Sequence, residues 1–279
     1  MQKDNIAQLI MMSALLFCTL LFLSICFFLL IEGGGVLSVP FLLKNWSHTH
    51  ITEGGIFPAI IGTILLTFWV SIVSLPFGFG TALYLSEYAQ HSMITRILRL
   101  TLRNLAGVPS VVYGLFGLAF FVLSLHIGTS LLAAALTLGC MTLPWIITAS
   151  EESLKAVPHA FREASYALGA TKWQTIQTIV LPQALSGMLT GSVLGISRVM
   201  GETAPIIMVG ATFFMSYVSF SPFEKFMALP YHIFILATQH SSIHARAYAA
   251  ATALVLLSIV FFANLTAFIL RYRLRARRV

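Results

Sequence analysis

Apolar positions in this chain fall in long unbroken runs, not in alternating or heptad stripes. Runs long enough to cross a bilayer recur at about 9–31, 57–85, 105–126, 131–149, 187–209 and 249–270, a crossing needing roughly 20 residues at ~1.5 Å each. The pattern predicts an all-α polytopic membrane protein with six transmembrane helices. A further apolar stretch, residues 226–238, falls short of a full crossing and contains Pro230 and His232. It is read as an interfacial or re-entrant helix on the outer side. The first run is longer than a signal-peptide core of ~7–15 residues, and Glu32-Gly33-Gly34-Gly35 follows it. An uncleaved helix is expected there.

Between the runs lie a turn-rich segment (32–56), a basic segment (86–104), a tight turn around Gly128, a long polar segment (150–186) and a large loop (210–246). The expected division is an N-terminal helix with its outer loop over 1–56, and a transmembrane core over 57–279 that contains the 150–186 segment.

Composition supports a membrane solvent: 58% of residues are hydrophobic and only 9% charged. The net charge of +7 acts mainly as a topology signal. With the N-terminus inside, twelve of the sixteen basic residues fall on the inner side, among them Arg96, Arg99, Arg103, Lys155, Arg162, Lys172 and the Arg271–Arg278 tail. Lys44, Lys225 and Arg246 fall outside, and Arg198 lies within a run. Both termini are therefore expected in the cytoplasm. The basic tail is read as an anchor touching anionic lipid, not as a nucleic-acid site, since no aromatic-interleaved basic patch exists. The three cysteines, Cys18, Cys26 and Cys140, lack metal-ligand spacing and are read as packing residues.

The polar segment 150–186 carries a helix–turn–helix signature. Pro158 suits a helix start, and Phe161, Ala164 and Leu168 share one face while Arg162, Glu163 and Tyr166 point elsewhere. Gly169 is a stop signal, Thr171 with Gln174 fits a capping box, and Pro182 predicts a break before the next span. Left to physics alone, this elbow joins two spans or docks a partner.

The residues Glu163-Ala164-Ser165, then Gly169, then Ile179-x-Leu181-Pro182 resemble the coupling loop of ABC importer permeases, with Ser165 at a position where that motif usually has alanine. Gly107–Gly117, Ala167–Ile176 and Gly201–Pro205 are similar to the phosphate-specific members of the family. The resemblance implies a type I ABC importer permease fold in a bacterial inner membrane. It implies that Glu163, Ala164, Ser165 and Gly169 couple the spans to ATPase partners. It also implies a second permease subunit, two ATP-binding subunits using ATP and Mg, and an extracytoplasmic phosphate-binding protein. No cofactor is expected on this chain, which has no GxxxxGK[ST] phosphate loop.

Arg198 and Glu202 are the ionisable pair of the fifth run, spaced i, i+4. A charge at mid-span costs at least ~2.5–3.5 kcal/mol. At ~100° per residue, Gly187, Gly191, Gly195, Arg198 and Glu202 share a stripe about 80° wide, which predicts that the pair faces protein. The pair is either a structural salt bridge or part of the anion path, where a guanidinium fork suits an oxyanion. Pro205, Pro109 and Pro76 are candidate kinks, and Ser110 and Tyr113 candidate helix-contact or path residues. His240 and His244 have a metal-compatible spacing without a third ligand, so no metal is expected.

The expectation is a permease subunit of an ATP-driven inorganic phosphate importer. Sulfate or molybdate import is the alternative cargo, which Arg198 does not distinguish by charge. An intramembrane enzyme is the alternative class, but no Ser–His or Asp–Asp constellation accompanies the Arg198–Glu202 pair.

Overall fold

The computed structural model describes residues 2–47, 52–89, 92–215, 217–239 and 242–276, with side chains omitted at 2–7, 270 and 274–276. Twelve helices follow one another among these residues: α1 Gln2–Gly33, α2 Val39–Leu43, α3 Phe57–Leu83, α4 Met93–Leu105, α5 Ser110–Gly117, α6 Leu131–Lys155, α7 His159–Ala167, α8 Lys172–Thr175, α9 Leu181–Val199, α10 Ala204–Val209, α11 Leu229–Thr238 and α12 Ala245–Ala276. π-helical turns extend α3 (Tyr84–Tyr88), extend α5 (Leu118–Ser124) and join α8 to α9 (Ile176–Val180). The only bridge between extended residues in this set joins Ala211 and Phe226.

Among the described residues, five helices are long and apolar enough to cross a membrane, or six when the bent pair Met93–Leu105 and Ser110–Ser124 counts as one span. That pair corrects the third span. The sequence pattern gives one run over 105–126, but the chain turns by 103° between α4 and α5. Pro109, without an N–H, sits at the cap position before Ser110, so the two helices are separate. Most of the basic segment 86–104, expected as a loop, is the amphipathic helix α4.

The core forms around α6, which packs against both α3 and α9. Leu66, Val70, Leu138, Val199 and Ile206 bury together in its outer half, counted away from the elbow. Ala82, Leu85, Ile147, Leu154, Val180 and Met188 bury together at the elbow end. Ser130 caps α6 by accepting a hydrogen bond from the Ala133 amide at 3.2 Å. Pro76 and Pro144 lie inside α3 and α6 without ending them.

The glycine stripe of α9 is a packing surface against α6. A side-chain carbon on Gly187 would meet Ser153, and one on Gly191 would overlap Cβ of Ala149. Close approach of two helix backbones explains why small residues recur here. Gly191→Leu is expected to cost about 1–3 kcal/mol through overpacking. A lowered thermal midpoint of the detergent-purified protein would show it, and an unchanged midpoint would mean that α6 and α9 do not meet at Ala149.

The expected break at Pro182 is not present. One apolar helix runs from Lys172 to Val199. The π turn ahead of Pro182 absorbs the missing donor, and Pro182 then sits in the first turn of α9, where no N–H is needed. The real interruption comes later, at Met200–Thr203, between α9 and α10. Pro205 lies in the first turn of α10 and starts a new helix there.

The 210–246 loop contains the short apolar helix α11, as the 226–238 stretch predicts. It packs on α12 and on the start of α3, where the Leu229 amide donates to Thr63 Oγ1 at 2.9 Å. This lies at the end of the bundle away from the elbow.

Candidate functional site

Two groups of sequence-predicted residues fall at different levels of the bundle. The antiparallel contacts of α9 on α6 set the register: Gly187 meets Ser153, Gly191 meets Ala149 and Gly195 meets Ile146. Arg198 therefore lies level with the middle of α6, where its guanidinium stands over the Trp145 ring at 5.4 Å. The elbow begins beyond Lys155, about 15 Å further along α6 at ~1.5 Å per residue.

Arg198 is in the last turn of α9, and Glu202 is in the break that follows. Arg198 Nε donates to Glu202 Oε1 at 3.1 Å. Their side chains differ in access: 49% exposed for Arg198 and 15% for Glu202. The arginine is thus tethered by an acid on one side and open on the other. A cation at a helix C-terminus is also favoured by the partial negative charge of the free carbonyls. Next to it, Ser197 donates to Asn264 Oδ1 of α12 at 2.7 Å. The break gives the pair its setting, because backbone leaves the helix at the depth where the charge sits. Pro205, a candidate kink by sequence, was the signal nearest to it.

Tyr113 donates its hydroxyl to the Leu105 carbonyl at 3.0 Å, across the bend between α4 and α5. It ties the bent pair together, in line with the helix-contact expectation. Gly114, one residue on, faces the backbone of Pro205, so α5 and α10 approach closely.

The elbow has the boundaries that its residues predict. Gly169 follows α7 with φ of +84°, a conformation that costs an L-residue about 1–2 kcal/mol. Thr171 Oγ1 accepts from the Gln174 amide at 3.3 Å, and Gln174 Oε1 accepts from the Thr171 amide at 2.8 Å, completing the capping box. Ser165 is buried, with its hydroxyl 2.9 Å from Thr175 Oγ1, so α7 and α8 are fastened to each other. Glu163, Ala164 and Gly169 are exposed.

The apolar face of α7 points outward. Phe161 is 49% and Leu168 is 89% exposed. The inward face holds Arg162, which the pattern sent elsewhere. Its guanidinium donates to Glu87 Oε1 at 2.9 Å and to the Leu154 carbonyl at 3.0 Å, and also reaches the Val157 carbonyl. Both partners of the ion pair are about nine-tenths buried. A second anchor lies beside it, where Arg99 of α4 donates to Glu151 Oε1 at 2.9 Å and to the Leu85 carbonyl at 2.8 Å. Lys155 joins Glu151 at 2.6 Å. The elbow is thus held by charges on its back, leaving Phe161, Glu163 and Leu168 free in front.

Sequence reasoning missed Arg162, Glu87, Arg99, Glu151 and Trp145. Glu87 and Glu151 carried a faint signal, each being an acid at the end of an apolar run. Nothing local pairs residues 75 positions apart. Of the candidate metal pair, His240 lies outside the described residues, as do His48 and His50.

A bundle of broken and bent spans with an exposed elbow between two of them is a membrane permease fold of the ABC importer class. Inward-facing structures of the MetNI methionine ABC transporter share it, with TM-score 0.60 over 79% of this chain and 94% of that one at 17% identity. So does a bacterial ABC transporter involved in the import of the acidic polysaccharide alginate, with TM-score 0.57 over 75% of this chain and 78% of that one at 17% identity. The family model for the binding-protein-dependent transport system inner membrane component matches residues 74–276, and the chain belongs to that family.

Among its curated relatives, the phosphate transport system permease protein PstA 1 of Mycobacterium tuberculosis (strain H37Rv) is 38% identical over 243 residues, 84% of this chain and 77% of that protein. PstA of Yersinia pestis is 34% identical over 74% of this chain and 70% of its own length. The probable PstA of Methanocaldococcus jannaschii is 36% identical over 76% and 74%.

Proposed function

We propose that this chain is one permease half of an ATP-driven importer of inorganic phosphate. The observation that carries the cargo is that relatives from three distant organisms, 34–38% identical over most of this chain, are phosphate permeases by name. The chemistry of the charged pair agrees with it. A half-exposed guanidinium offers a fork to a phosphate oxyanion. Glu202 keeps Arg198 from binding the anion permanently, since phosphate only exchanges one acceptor for another.

The partners are a second permease, two ATP-binding subunits that hold ATP and Mg, and an extracytoplasmic phosphate-binding protein. The excess of basic residues on the elbow side supports a cytoplasmic location for that side and for both termini. The exposed face of the elbow, with Glu163, Ala164, Phe161 and Leu168, seats in the ATPase. Ser165 and Gly169 hold its shape. ATP-driven closure of the ATPases moves α7, and the Arg162–Glu87 pair carries that motion into α3. The spans reorient, and phosphate released by the binding protein passes Arg198 inward.

Anion competition in proteoliposomes tests the cargo. With the assembled complex, excess unlabelled phosphate should abolish labelled phosphate uptake, and sulfate and molybdate should not. Preferential inhibition by sulfate or molybdate would move the chain to that branch of oxyanion importers. Glu163→Lys tests the docking face: the chain should insert normally but lose co-purification with its ATPase partner or lose ATP-driven uptake. Full transport by that variant would remove Glu163 from the docking face.

A further inference from the structure

Helix α4 presents an apolar face that the described residues leave open, and beside the bundle a basic face on which Arg96 and Arg103 are exposed while Arg99 is partly covered. Its arginines, Arg96, Arg99 and Arg103, fall within about 60° at ~100° per residue, and with Ser92, Met93, Thr95 and Leu100 they line a depression of about 570 Å³. Roughly opposite lie Ile94, Ile97, Leu98 and Leu105, which are 72%, 51%, 46% and 39% exposed. Thr95 is buried and Leu102 half-buried, marking the side that rests on the bundle. The charge on the basic face is only partly neutralised. Among the described residues the carboxylate paired there is Glu151, which takes Arg99 and already holds Lys155. Arg96 and Arg103 have no ion pair among the described residues.

The orientation of α4 adds the third observation. It meets the Ser110–Ser124 segment at 103°. If that segment crosses the bilayer, α4 lies close to the membrane plane, at the level of the helix ends. A helix in that plane with an apolar face and an arginine face matches an interfacial helix, its apolar side among acyl chains. A soluble anion would use the basic stripe alone, and a packed partner helix would use the apolar side alone. A phospholipid with a net negative headgroup uses both at once.

We propose that α4 is a binding site for anionic phospholipid, with Arg96 and Arg103 on the headgroup phosphate and Ile94, Ile97 and Leu98 against the acyl chains. The site does not depend on the identity of the transported anion. Arg99 is shared between this face and Glu151, so lipid at α4 touches the same cluster that anchors the elbow.

The test uses the assembled complex in lipid vesicles. A bimane fluorophore is attached at Leu98→Cys, with Cys18, Cys26 and Cys140 replaced by serine. Quenching is compared between nitroxide-labelled phosphatidylglycerol and phosphatidylcholine at equal mole fraction. The native arginines should give clear preference for phosphatidylglycerol, unaffected by excess inorganic phosphate. At roughly a kilocalorie of attraction per basic residue near an anionic surface, Arg96→Gln with Arg103→Gln should lower that preference by about thirty-fold. Equal quenching by the two lipids in the native-arginine protein would overturn the proposal. So would removal of the preference by inorganic phosphate, which would make the stripe a free-anion site. Quenching by neither lipid would overturn it in favour of a protein partner over α4. The native-arginine arm decides even where the double variant fails to assemble.

Discussion

Arg162→Ala is expected to destabilise the elbow end of the protein by about 3–5 kcal/mol, the largest single effect predicted here. The substitution leaves Glu87 buried with its charge unanswered and removes the donor to the Leu154 and Val157 carbonyls. A buried pair is expensive to break from one side, because the remaining ion has lost its solvent as well as its partner. The elbow should become a site of limited proteolysis within residues 159–171, while membrane insertion is retained. Uptake should fall with it under the proposed coupling, in which this pair links α7 to the end of α3. Replacing both partners by apolar residues, Arg162→Met with Glu87→Leu, should recover much of the stability, because neither charge is then buried alone. The double variant should still transport poorly, which separates holding the fold from transmitting motion. A wild-type melting profile and intact elbow in Arg162→Ala would show that the pair contributes little.

Arg198→Gln is expected to slow phosphate movement sharply while the complex still assembles. The arginine is half-exposed, so its loss strands no fully buried group, and Glu202 retains some access to solvent. The stability cost should therefore be small, within about 1 kcal/mol. If Arg198 meets the anion as proposed, the cost to transport should be at least about tenfold in rate, the loss of a charge-assisted contact being worth roughly 1.5–3 kcal/mol. Arg198→Lys should recover part of the rate, keeping the charge without the planar fork. Unchanged uptake by Arg198→Gln would reduce the pair to a structural link between α9 and the break after it.

Much of this was legible in the sequence because it is set locally. Long apolar runs fix crossings by length alone. Gly169 and the Thr171–Gln174 box fix the elbow turn, since one requires a positive φ and the other satisfies free amides within four residues. What stayed hidden was set at a distance or by competition between rules. Pro182 reads as a break, yet the π turn before it lets one helix run through. The helix after Pro109 was visible as apolar, but its 103° angle to α4 depends on how α5 packs on α10. Phe161, Ala164 and Leu168 share one face by periodicity, which leaves open whether that face is buried. They face outward because Arg162 finds Glu87 from another part of the chain. The same held for Arg198, whose Trp145 contact comes from the register of α9 on α6.

The most direct test of the central claim is radiolabelled phosphate uptake in a host stripped of its own phosphate importers. This chain is supplied with its candidate second permease, ATPase and binding protein, and a parallel strain lacks only this chain. ATP-dependent uptake that requires the chain is the predicted result. Absence of uptake from a complex shown to be assembled would contradict the assignment of phosphate as cargo.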